Sequence, residues 1–194
     1  MKTKTAIFLV LTGEAFVSAL GLFRYGWNIE GLQAITRFSG RFSLLLFSFI
    51  FLLYPDNKIR LRKIMSENFF LSFALAHGIH LLELLSYVYL AGIALVPVRV
   101  AGGFLAYVLI FIMPWLQRIN ATGGISDHRF KMLGMVYLFY AWFVFFMTYV
   151  ARLNGSFHNA GGSYTEHAVL MTWVCIMLGF KLATLLARKH EAIQ

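Results

Sequence analysis

Residues 66–92 read SENFFLSFALAHGIHLLELLSYVYLAG, and how that stretch is taken decides the rest of the chain. It is apolar and as long as a membrane-crossing helix, yet its middle carries His77, His80 and Glu83. Ionisable groups at bilayer depth are costly, and they face a bundle interior, a partner or a cofactor instead of lipid. Steps of three residues along an α-helix turn each group by about 60°, so the three share an arc of roughly 120°. The other helices are expected to pack around that arc.

The composition agrees with a membrane reading. Of 194 residues, 60% are hydrophobic and only 13% charged, and the mean hydropathy is +0.73. A water-soluble domain of this size carries about 25% charged residues. Little of the chain is left for a separate catalytic or nucleotide-binding domain. The net charge of +9 does not point to nucleic acid, because no basic folded module remains once the apolar segments are set aside. In a membrane chain the excess of Lys and Arg collects in cytoplasmic loops. Cys175 is the only cysteine, so no intramolecular disulfide forms. The opening MKTKTAIFLVLTGEAFVSALGLF has the basic start and apolar run of a signal peptide, but Glu14 interrupts it, and it reads as a retained first span.

Six segments approach or exceed the length that crosses about 30 Å of hydrocarbon at 1.5 Å per residue. They cover residues 5–23, 32–54, 66–92, 96–116, 130–153 and 164–187. The expected architecture is all-α, a single polytopic bundle of six transmembrane helices joined by short loops. Lys2, Lys4, Lys58, Arg60, Arg62, Lys63, Arg118, Arg129, Lys131, Arg188 and Lys189 fall on one side, eleven in all. Arg24, Arg37, Arg41, Arg99 and Arg152 fall on the other, and Lys181 lies within the last span. That bias places both termini in the cytoplasm.

Depth decides which polar groups can meet. Counting along each span puts His77 and His80 roughly 16–21 Å from the cytoplasmic end of the third, near the midplane. Arg41 on the second span comes level with Glu83, and Glu14 on the first with His77. An Arg41–Glu83 ion pair and a Glu14–His77 hydrogen bond are therefore expected, since intramembrane charges pair. The bland alternative for both is helix–helix glue that fixes packing and register. Two histidines on one face are also the minimal equipment for a haem, a metal or a proton relay. His167 counts as about 10 Å too shallow to face His80 across an iron. Met135 and Met147 are the weaker thioether alternatives, though methionines among Phe and Tyr are ordinarily packing residues.

Several short motifs resemble the ferric-reductase-like transmembrane family, in particular the haem-binding membrane subunit of the bacterial methionine sulfoxide reductase system. Ser39-Gly40-Arg41, then an apolar span ending at Pro55, is similar to that family's Thr-Gly-Arg span. Arg62-Lys63-Ile64-Met65, Phe73-Ala74-Leu75-Ala76, Ile79-His80-Leu81 and Tyr87 are similar to its basic turn and Leu-His helix. The resemblance implies haem b with His80 as an iron ligand, His77 as an additional one, and Arg41 balancing a haem propionate instead of pairing Glu83. It departs at the fifth span. There Gly134 stands where the family has a histidine, and the later histidine position falls near Phe146 or Met147.

Two functional expectations follow. One is a haem b subunit that passes electrons from quinol or a flavoprotein to a redox partner beyond the membrane. The other is a haem-free six-helix protein whose buried His and Glu serve binding, scaffolding or a proton path. A small proton-coupled carrier is disfavoured by the lack of an inverted repeat.

Overall fold

The computed structural model describes residues 3–55, 68–94, 97–156 and 161–191. The Arg62–Met65 motif lies outside these residues. Among the described residues there are six helices and no strand: α1 Thr3–Tyr25, α2 Ile29–Leu53, α3 Phe69–Leu90, α4 Pro97–Ala121, α5 Asp127–Leu153 and α6 Tyr164–Glu191. All six are long and apolar enough to cross a membrane. Large apolar side chains such as Phe8, Phe16, Phe104 and Phe180 stand exposed, as a lipid-facing surface requires. The protein is an integral membrane protein.

The expected spans hold, with ends moved by capping groups that hydropathy does not register. Asn28 accepts from the Gly31 backbone N–H at 2.8 Å and starts α2 three residues earlier. Ser126 does the same for α5 through the Arg129 N–H. Six crossings bring both chain ends to one side, called here the terminal side. The turns after α1, α3 and α5 lie on the opposite side.

α2 is the central helix. It packs against α1, α3, α5 and α6, while α1, α3, α4, α5 and α6 follow one another around it. Half of its most apolar window is buried, against 17–28% in the others. Its sequence explains the position: Ala34, Thr36, Ser39, Ser43 and Ser48 are small, buried, and let neighbouring backbones approach.

Contacts along α2 give the register of the bundle. On α3, Gln33 meets Tyr87, Gly40 meets His80, Ser43 meets His77 and Phe47 meets Phe73. On α6, running parallel, Arg41 meets Glu166, Ser48 meets Trp173 and the α2 end meets Lys181. The bundle therefore has two storeys. From Phe47 to Tyr54 the filling is aromatic, with Phe47, Phe51, Phe70, Phe73, Tyr137 and Phe145 in ring contact. From Gln33 to Ser43 it is polar, about 15 Å deep at helical rise.

Candidate functional site

The polar storey divides into two flanks of α2. On the α1–α3 flank, two carboxyl groups converge on one hydroxyl. Glu14 of α1 is 3% exposed and neither carboxyl oxygen has a hydrogen-bond partner. Glu83 of α3 accepts from Ser18 Oγ at 3.2 Å through Oε1, while its Oε2 is buried and unpartnered. Ser39 of α2, fully buried, sits beside both carboxyl groups, which also feel one another's charge.

The expected Glu14–His77 hydrogen bond is not formed. His77 Nδ1 instead shares a 2.6 Å hydrogen bond with Ser43 Oγ. Counting from span ends misplaced the pair. α1 packs with Glu14 level with Ser39, about one turn of α2 away from the Ser43–His77 level.

Both histidines point into the bundle. The His77 ring stacks on Tyr107 of α4 at 4.8 Å and touches Phe73 and Phe145. The two imidazole centroids are 5.4 Å apart. His80 lies flat against α2 at Gly40, where a Cβ would stand 3.0 Å from its Cε1. Its Nδ1 is buried without a partner, and the Thr36 carbonyl faces the ring.

The expected Arg41–Glu83 ion pair is also replaced. Arg41 pairs with Glu166 of α6 at 3.1 Å. Two residues along a helix is a turn of about 200°, so if Ser39 faces Glu83, Arg41 must face away from it. On that second flank Arg37, Arg152 of α5, Tyr149 and His167 gather around the pair. His167 also sits deeper than counting placed it. Because Arg41 lies about 18 Å into α2, its contact with Glu166 brings the start of α6 down to the level of His80.

The residues present do not fit a haem between the third and fifth spans. One face of the His80 ring lies on Gly40, and the His77 ring is hemmed in by Phe73, Tyr107 and Phe145, with Nδ1 bonded to Ser43. Gly134, at the family's histidine position, is covered by the Tyr54 hydroxyl, which donates to Phe130 O at 3.2 Å. Phe146 stacks on Trp142 at 5.3 Å, and Met147 is exposed. Met135 packs against the aromatic core. Cavities of about 470 and 200 Å³ open elsewhere, beside Asn68 and Gln117 and beside Val10 and Phe42, and neither touches a histidine. His167 is now level with His80, but Arg152 lies within electrostatic range of both imidazoles, a poor neighbour for a ligand pair.

Sequence reasoning singled out Glu14, Arg41, His77, His80 and Glu83 but not Ser39, Ser43, Arg152 or Glu166. One signal was available: Ser163-Tyr-Thr-Glu166 is a capping box. Ser163 N–H donates to Glu166 Oε2 at 3.0 Å and Glu166 N–H to Ser163 Oγ at 3.2 Å, which fixes the start of α6. No family profile, curated protein or solved structure matches this chain. The ferric-reductase likeness therefore rests on its short motifs alone.

Proposed function

We propose that this chain is a haem-free integral protein of a bacterial inner membrane, with cytoplasmic termini, that serves as a proton-path component. The observation that carries the reading is the convergence of Glu14 and Glu83 on Ser39. Two negative charges side by side at bilayer depth, with hydroxyls for neighbours, cost too much to persist. In this reading the pair takes up a proton, which removes one of the two negative charges in a space closed by side chains. Tyr87, one turn beyond Glu83 and bonded to Gln33 at 2.8 Å, continues polar contact toward the opposite side. The Ser43–His77 bond is the last polar contact in the other direction, before the Phe47–Phe73 storey. Polar residues thus extend from the carboxyl pair toward the opposite side, and aromatic rings stop them in the other direction. A protein built this way passes its proton to a partner or a moving element and does not leak it across the membrane.

A membrane-soluble carbodiimide reacts with protonated carboxylic acids inside the bilayer and tests the reading directly. Mass spectrometry of the labelled protein is expected to find the adduct on Glu14 or Glu83. Glu14→Gln combined with Glu83→Gln is expected to abolish it. Wild-type protein that stays unlabelled in vesicles, or is labelled equally in the double variant, overturns the proposal.

A further inference from the structure

On the α5–α6 flank of α2, guanidinium groups outnumber carboxylates. Arg37, Arg41 and Arg152 lie within electrostatic range of one another, and among the described residues the carboxylate in their midst is Glu166. That carboxylate is already engaged, since Oε2 accepts from the Ser163 N–H at 3.0 Å and from Arg41 at 3.1 Å. Arg37 and Arg152 each bury an Nε with no hydrogen-bond partner. Their nearest described company is aromatic, Tyr25 and Phe38 for Arg37 and Tyr149 for Arg152. His167, 6% exposed, bonds the Gly161 carbonyl through Nε2 and leaves a buried Nδ1 unpartnered. Among the described residues, two positive charges and several polar atoms are thus left without a counterpart at a depth where charges pair.

Arg37, Glu166 and His167 meet over Gly162: Arg37 Nη1, Glu166 Oε2 and His167 Cε1 all lie within 3.1 Å of the point where a side chain there would begin. Gly162 has φ +85°, a conformation that favours glycine, so no side chain of its own separates them. The flank is also reachable. The Arg41 and Glu166 side chains are 25% and 44% exposed, and α5 ends and α6 starts level with them.

We infer that Arg37 and Arg152, beside Arg41, form a binding site for a phosphate-type oxyanion. Guanidinium forks donate paired hydrogen bonds to tetrahedral oxyanions. An excess of two positive charges matches a phosphate better than a lone carboxylate. The bound group is either a phospholipid headgroup reaching a span end or free phosphate from the opposite side. The site is separate from the Glu14–Glu83 pair, and its test reads binding, not protonation.

The full chain, purified in a neutral detergent, is titrated with inorganic phosphate, and in parallel exchanged into phosphatidylcholine with and without phosphatidylglycerol. Thermal unfolding and phosphorus NMR are followed. Saturable stabilisation by inorganic phosphate identifies a free anion. A phosphatidylglycerol signal that survives exchange identifies a headgroup. In either case Arg37→Gln and Arg152→Gln are expected to weaken binding about tenfold each, the loss of one charge-assisted contact. Glu166→Gln keeps a capping side chain, removes the competing charge, and is expected to tighten binding. Wild-type protein that takes up neither probe overturns the inference, as do folded Gln variants that bind like wild type. Should both arginine variants fail to fold, unchanged affinity in Glu166→Gln overturns it alone.

Discussion

Lys181 carries its ammonium group, 2% exposed, to the carbonyl oxygens of Phe51 and Tyr54 and over the Phe51 ring. Those carbonyls belong to the last turn of α2, where helix geometry leaves acceptors without partners and the dipole is negative. Lys181→Met is expected to destabilise the protein by about 2 kcal/mol or more, because carbonyls left unsatisfied in the core lose a charged donor. A thermal unfolding midpoint in detergent equal to that of wild type speaks against the role. Gly134 is the other decisive single residue. Any Cβ there runs into the Tyr54 hydroxyl, so Gly134→Ala is expected to cost about 1–3 kcal/mol through overpacking. Gly134→His, which puts a histidine where the ferric-reductase-like family has one, should fail to fold while Tyr54 is present and regain solubility when combined with Tyr54→Ala. Tyr54 occupies the room that any side chain at this position would need.

Among the elements, α2 determines what the others do. Its Ser39, Gly40 and Ser43 meet Glu83, His80 and His77 of α3. Gly40→Leu is expected to push α3 away and lower the yield of folded protein severely, whereas Ser43→Ala should fold and lose only the His77 contact. Equal yields for Gly40→Leu and wild type would count against this packing. All six helices could be read from the sequence, because a long apolar run is a strong signal in one dimension. So could the inward arc of His77, His80 and Glu83, since a costly group must find shelter. The partners could not. Depth counting fixes a residue along its own helix to within a turn, but says nothing of rotation, and rotation sent Arg41 to Glu166. Nor did counting allow for α6 starting deep, which brought His167 level with His80.

For the whole molecule, neither of the two cavities described above touches a histidine. Protein purified from haem-supplemented cells is expected to lack a Soret band. A Soret band that disappears in His80→Ala would restore the electron-transfer reading and overturn the present one. The separation of charge across α2 is the larger consequence: carboxyl groups meet on the α1–α3 flank and guanidinium groups on the α5–α6 flank. Each flank is out of balance by itself, so each is expected to respond to a ligand of opposite kind, a proton on one side and an oxyanion on the other.

Arg41 leaves the ribosome 125 residues ahead of the carboxylate it pairs with. At about 5–20 residues per second that is a wait of roughly 6–25 s, during which a charged segment sits in the translocation machinery or the bilayer without its counter-ion. Biogenesis of this protein therefore hangs on its last helix. Chains truncated after Leu153 should be removed by quality-control proteases, and co-expressing α6 as a separate polypeptide should rescue them.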